Sequence, residues 1–484
     1  MPSSAGRSRV VLTSRRVVLP DAAGALTVRP AAVSIEGARI TSVTSLGGAL
    51  DSAPPEEGVI VRDFGERVLA PAFVNAHTHL AMCAFRGITT ALARRGNVVT
   101  DVFFRLESLL TSEDVRAFTR LGAYECLLSG TAEVWDHYYF GEEVAAALAD
   151  VGLSGVVAPT LQDSGGPGRA RWESELLATE RIAADAGLRE RGIFAALGPH
   201  ATDTVSRELF GVVRDAALRL GLPVHLHVAQ SFEEVQSARE REQASPFELL
   251  ARWGVLDAPR VLLAHGVFAS RGDLELLDAE RHFVAVCPYS QVQFAFPSPV
   301  EELSSAGVPW VVGTDCVASN DSMSLAKELA LLGGLASLRA GSSRAAAEHA
   351  ARGTLETARA LNDERKRRLE LWERETGPEV LLQRAWGACG RLGQGRGGGV
   401  IAPGALAHLV VYEPSHPCFW PGDDALRALA YADAAPAIHA LMVSGRFVGR
   451  SGDFHASLVE SDEYRDARRE AEARRTALLS RIGV

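Results

Sequence analysis

Two histidines one residue apart, His77 and His79, close an apolar run from Val68 to Leu80, VLAPAFVNAHTHL. In an extended strand alternate side chains share a face, so both imidazoles point one way and Thr78 the other. Three further strand-like segments also end in ligand-type residues. Pro223–His227 runs into HLHVAQ, which puts His225 and His227 on one face with Gln230 in the loop beyond. Val261–Ala264 ends at His265, and Val308–Thr314 ends at Asp315. A lone strand-end histidine is usually a satisfied polar residue, and an aspartate after Gly-Thr could be a helix cap. Jointly placed, imidazoles and a carboxylate match a mononuclear divalent-metal site that keeps one position open for water.

Such residues must be brought to one point by the elements that carry them. From Val68 onward, short apolar strands alternate with long Ala/Leu/Glu/Arg stretches, the texture of a parallel α/β fold. The candidate strands are Leu69–Asn75, Ala132–Asp136, Gly155–Pro159, Ile193–Gly198, Pro223–His227, Arg260–Ala264, Phe283–Cys287 and Val308–Gly313. Eight in succession make a closed (β/α)8 barrel the simplest architecture, with its active site at the C-terminal ends of the strands. Helices are expected over Ser112–Leu128, Val205–Leu220 and Ser324–Leu338, with cap-like starts at Thr111–Asp114 and Ser322–Lys327.

Outside the barrel the pattern changes. Residues 1–67 read as short strands with a hairpin turn at Glu36-Gly37, and this strand reading is preferred to a transit peptide for the Arg/Ser-rich start. Gly393–Gly399 (GQGRGGG) does not follow a strand and open a helix, so it reads as a loop rather than a nucleotide site. Val400–Tyr412 and Ala437–Val448 return to strands that could pair with the N-terminal module. The charged stretches Asn362–Glu375 and Ser457–Ile482 read as solvated helices. The expected organisation is therefore 1–67 and 393–456 as two parts of a small β module, 68–392 as the barrel and 457–484 as a C-terminal helix.

Composition excludes several classes. The chain has 484 residues, is 47% apolar, and sets 50 Lys+Arg against 60 Asp+Glu, a balance unlike that of a nucleic-acid binder. No apolar run approaches the roughly 18 residues of a membrane span. Six cysteines, at 83, 126, 287, 316, 389 and 418, are scattered without a CxxC, which suggests reduced thiols and a cytoplasmic protein.

Nearly end to end, the sequence resembles the amidohydrolase superfamily, in particular the branch of cytosine, S-adenosylhomocysteine and guanine deaminases and triazine hydrolases. The likeness rests on PAFVNAHTHLAMCAFRG, LLSGTAEVWDHYYF, LGPHATDT, PVHLHVAQSFEEV, LLAHGVF, VCPYSQVQF, GTDCVASNDSMSLAKEL and APGALAHLVVYE. It implies a (β/α)8 barrel with a small β-sandwich built from both chain ends. It also implies one divalent metal, zinc or alternatively iron, held by His77, His79, His227 and Asp315. Asp315 and His265 would handle protons and stabilise charge, while His200 faces the substrate; a homo-oligomer is a further implication. His225 is assigned a supporting or core role, since the motif places the ligand at the second histidine. His137, beside Tyr138 and Tyr139, could line the pocket or a packed aromatic turn. Arg86 could reach an anionic group or form a surface ion pair, and Cys83 and Cys316 read as wall residues.

One departure bears on the chemistry. The deaminases of this branch usually carry Glu three residues after the ligand histidine, where this chain has Gln230. A carboxylic acid can give a proton to a departing amine, whereas an amide can only hydrogen-bond. Asp321 where a second Asn is frequent, and His408 where Asp is usual, are further departures. The favoured expectation is hydrolysis of a C–N bond, a deamination, on a nitrogen heterocycle or amidine-like small molecule, with Gln230 orienting substrate. The alternatives are release of a non-amine group such as halide, or a catalytically altered metal-binding paralogue.

Overall fold

The computed structural model describes residues 9–46, 58–88, 97–386, 392 and 397–482. Its centre is a ring of parallel strands. Phe73–Thr78, Thr131–Tyr138, Ser154–Leu161 and the pieces Ile193–Ala195 and Gly198–Pro199 form one run, and Val224–Val228, Val261–His265, His282–Val286 and Trp310–Val312 form another. Two parallel bridges, Leu197 to Val224 and Thr78 to Asp315, join the runs into a curled eight-stranded barrel. Inside it, Trp135 and Phe283 pack with the small residues Ala76, Ala158, Ala196 and Ala285, so large and small side chains fill the ring together. Helices such as Ser112–Leu128, Arg207–Leu220 and Leu325–Gly341 cover the outside, their apolar faces merged with the outward strand residues in one large core.

Local chemistry sets several helix starts. Thr111 and Asp114 form a reciprocal capping box that satisfies two otherwise unpaired N–H groups. Ser206 caps the next long helix through Leu209. The Ser322–Lys327 start has no comparable side-chain cap at Ser324.

The opening apolar run is not one strand. It divides at Ala72: Val68–Pro71 pairs with Arg16 and Val17 and with Leu409–Tyr412, whereas Phe73–Thr78 enters the barrel. A continuous hydrophobic pattern could not reveal this division, because both halves are fully buried. Strands from both chain ends make one eight-stranded mixed sheet, ordered Arg446–Val448, Ile438–Val443, Leu409–Tyr412, Val68–Pro71, Arg9–Pro20, Leu26–Glu36 and Arg39–Ser45, with Val59–Asp63 alongside Arg9–Thr13. Leu12, Val33, Ile35, Leu69, Val411 and Met442 belong to its apolar core. His408 ties the sheet to the barrel: its Nδ1 accepts from the Ser444 N–H at 3.1 Å, and its Nε2 lies 3.5 Å from Glu133.

The C-terminal helix Asp462–Ile482 is not merely solvated. Arg474 and Arg481 reach the buried Asp114 carboxylate at 3.2 Å, Arg475 donates to the Ala84 carbonyl and Arg481 to that of Leu109. Long arginine stems let a charged face dock on two backbone carbonyls and one buried acid. Helix Leu355–Thr376 likewise sets Arg368 against Glu301 and Glu364. The five described cysteines are free; Cys389 and residues 393–396 of the glycine-rich stretch lie outside the described residues. Among the described residues no helix is long and apolar enough to cross a membrane.

Candidate active site

At the C-terminal mouth of the barrel, three imidazoles from two opposing strands converge. One ligand atom each of His77, His79 and His227 lies within 4.8 Å of the others, and His77, His265 and Asp315 form a second such group. Each of the first three rings is oriented through its Nδ1. The His79 Nδ1 donates to the His137 carbonyl at 2.5 Å, the His227 Nδ1 to the His200 carbonyl at 3.0 Å, and the His77 Nδ1 is 2.8 Å from the His225 Nε2. This leaves the Nε2 lone pairs for a common point, the arrangement that backs metal-bound histidines.

Asp315 completes the cluster. Its Oδ1 is 3.4 Å from the His79 Nε2 and 3.8 Å from the His77 Nε2. Two close approaches bring it there. Asn75 exchanges hydrogen bonds with Thr314, and the Thr314 and Asp315 N–H groups both donate to the His77 carbonyl. At Gly313 a Cβ would lie 2.7 Å from the His77 oxygen, so only glycine admits the two strands so near each other. His265 and Asp315 both sit in the left-handed region, with φ of 76° and 57°, backbone strain that here turns two strand ends toward one centre.

The electrostatics favour neutral imidazoles at every cluster histidine but His79, around one anion. Burial, reinforced by neighbouring imidazoles, pushes His77 and His227 well below the ordinary histidine value. Burial likewise takes His200 and His225 down to about 3. Burial, the largest single influence, would also lower His79, but the hydrogen bond and charge of Asp315, the charge of Asp136 and the His137 carbonyl together outweigh this and raise it. For Asp315, burial opposes ionisation, yet His79, His265 and Ser290 hold its carboxyl far below the usual range. The donor set fits a divalent ion: the His77, His79 and His227 nitrogens converge, the Asp315 carboxylate lies against two of them, and the buried His77 Nε2 has no hydrogen-bond partner.

A cavity opens over this cluster. One part is walled by Met82, Phe103, Phe104, Glu107, Tyr139 and Cys316, together with His137, His200 and Gln230. The adjoining part, about 290 Å³, runs past Gln230, Glu233, Phe294 and Phe296. His200, His137 and Gln230 thus share the cavity with His265 and Asp315. The Gln230 N–H donates to Glu234, itself buried and bonded by Thr202, so Glu234 backs the loop and does not enter the cavity wall. His225 lies beneath His77. Arg86 turns away to Glu125, and the Cys83 thiol donates to the Phe118 carbonyl.

Glu107 is an ionisable wall residue that sequence reasoning missed. It is 5% exposed, and burial lifts its carboxyl to about 7. It lies in an irregular helical segment between two strands, with no motif around it; a single acid in the largely apolar FFRLESLL stretch was the available signal.

The fold and cluster together define a β/α barrel with a histidine–aspartate centre at the C-terminal ends of its strands. Residues 68–366 match the amidohydrolase family, and the chain belongs to that family. A 5'-deoxyadenosine deaminase from Methanopyrus kandleri is 29% identical over 83% of this chain and 85% of its own length. An adenosine deaminase from Xanthomonas campestris, solved with bound zinc, aligns with a TM-score of 0.76 over 96% of this chain and 98% of that one, at 22% identity. The atrazine chlorohydrolase of Arthrobacter aurescens, complexed with zinc, aligns with a TM-score of 0.71 over 97% of this chain and all of that one, at 18% identity. Those two structures share the fold.

Proposed function

We propose that this chain is a metal-dependent hydrolase that deaminates a nitrogen heterocycle or amidine-like small molecule. The observation that carries the reading is the convergence of three oriented imidazoles at the floor of the cavity, with the Asp315 carboxylate 3.4 Å from His79 and 3.8 Å from His77. Membership of the amidohydrolase family and similarity to nucleoside deaminases support it. His77, His79, His227 and Asp315 would hold one divalent ion, zinc in the first instance. Bound there, such an ion would supply a Lewis acid and would lower the pKa of water from 15.7 towards about 7.

The chain's own groups do the rest. Asp315 takes a proton from the attacking water at Oδ1 and returns it to the departing nitrogen. His265 stabilises charge that develops on the sp² centre. His200, His137 and Gln230 hold and orient the ring, with Gln230 able to donate and accept hydrogen bonds but not to supply a proton. A second reading follows from that amide: a leaving group that departs unprotonated, such as halide, needs no acid at this position.

We also read the terminal sheet as a small β-sandwich, with residues 68–392 as the barrel, 1–67 and 393–456 as the two sandwich parts and 457–484 as the terminal helix. The shared apolar core of strands from both ends supports this reading. A cytoplasmic homo-oligomer completes the proposal. Elemental analysis coupled to an ammonia-release screen tests the function. Stoichiometric zinc and ammonia from at least one aminopurine, pterin, aminopyrimidine or aminotriazine is the expected result. Chloride release without ammonia supports the second reading, and no turnover of any compound by metal-replete protein overturns both.

A further inference from the structure

The two carboxylate oxygens of Asp315 have different surroundings. Oδ2 accepts hydrogen bonds from the Ser290 hydroxyl at 2.7 Å and the Ser319 hydroxyl at 3.1 Å, and the two hydroxyls are 2.9 Å apart. Both serines are buried, Ser290 3% and Ser319 1% exposed. Oδ1 instead faces His79 and His77. The serines reach Asp315 from independent places: Ser290 from the Pro288–Gln293 helix after the seventh barrel strand, Ser319 from the Val317–Asn320 turn after the eighth. The Ser319 hydroxyl has one proton to give and also lies 3.1 Å from the Cys316 carbonyl, which competes with Oδ2 for it, and 3.2 Å from the Cys316 thiol.

We infer that Ser290 and Ser319 are positioning residues that pin Asp315 by one oxygen, so that the other is presented to the metal and the attacking water. A carboxylate can rotate about its Cβ–Cγ bond over a broad range, so which oxygen faces the cluster is set by what hydrogen-bonds to it. Two donors on Oδ2 occupy its lone pairs and leave Oδ1 as the free donor atom toward the imidazole cluster. Each serine can keep Oδ2 occupied when the other is lost. Single removal should therefore cost less than half as much, in factors of ten, as double removal. The shorter Ser290 bond should matter more. The inference rests on Asp315 being a metal ligand, as the proposed function has it.

The test is zinc affinity of the full-length protein, measured by competition with a chromophoric chelator on metal-stripped wild type, Ser290→Ala, Ser319→Ala, the double variant and Ser290→Thr. Outer-shell groups around metal ligands are worth about 10- to 100-fold in affinity. A dissociation constant raised by about 30-fold in the double variant, by a few-fold in Ser290→Ala and less in Ser319→Ala, with recovery in Ser290→Thr, is the expected result. The metal-free variants should melt as wild type does, since a purely structural role would shift melting and leave zinc affinity alone. Wild-type zinc affinity in the double variant overturns the inference while leaving the proposed function standing. A wild-type protein that binds neither zinc nor iron overturns both.

Discussion

The His77 Nδ1 and the His225 Nε2 are 2.8 Å apart, both rings fully buried, so the first histidine of HLH holds the first histidine of HTH across the barrel. His77 then has one nitrogen committed and its Nε2 directed at the centre. His225→Ala should leave the His77 ring free to turn. A loss of about 10- to 100-fold in zinc affinity is expected, with a parallel loss of turnover at limiting zinc. Titration with a competing chelator checks this, and affinity equal to wild type would remove His225 from the support of the centre.

Gln230 lines both parts of the cavity, where a carboxylic acid would be a proton donor. If amine departure limits the rate, Gln230→Glu should raise ammonia release by about tenfold or more, since general acid catalysis contributes about 10²–10⁴-fold. Steady-state kinetics on the best compound of the screen decides it. A fall in kcat instead would show that the amide itself binds substrate.

Glu107 offers a pH signature. Burial lifts its carboxyl from 4.5 to about 7 in the folded protein. Between those values the unfolded chain releases this proton while the folded chain keeps it, so this group makes stability fall as pH rises through the window and level off above it. Glu107→Gln removes the ionisation. In metal-free protein the variant should gain on wild type between pH 5 and pH 8 by on the order of 3 kcal/mol at most, from about 1.36 kcal/mol per pH unit. Urea unfolding at the two pH values measures the difference; a variant that loses ground at pH 8 contradicts it.

Gly313 lets the eighth strand approach His77. A Cβ there would stand 2.7 and 2.8 Å from the His77 backbone oxygen and nitrogen, which no side-chain rotation relieves. Gly313→Ala should cost about 1–3 kcal/mol of stability, the usual range for overpacking. Because the displaced backbone carries a proposed ligand, zinc affinity should fall with it. Paired melting and zinc titration test both effects; loss of stability alone would mean that the strands part without moving His77.

Much of the fold was legible because barrel strands are short, apolar and repeated, and helices between them carry caps such as Thr111-Ser112-Glu113-Asp114. The candidate site residues were legible for a related reason: strand ends put polar residues at predictable places, and HTH, HLH, His265 and Asp315 each lie at or just past the end of such a strand. The break at Ala72 was not legible, because a fully buried run has no polar punctuation to mark where one sheet ends and the next begins. Nor was Glu107, whose role depends on its irregular segment folding back over the strand ends rather than on its neighbours in sequence.

By itself the sequence determined the alternation of strands and helices, the apolar faces and the presence of imidazole and carboxylate groups at strand termini, since these follow from local periodicity and residue chemistry. Only the tertiary structure decided which nitrogen of each histidine is committed, which oxygen of Asp315 is held by Ser290 and Ser319, and which walls enclose Gln230. Those relationships join residues as far apart in sequence as His77 and His225, and a hydrogen bond between such residues exists only once closure of the barrel brings them within reach.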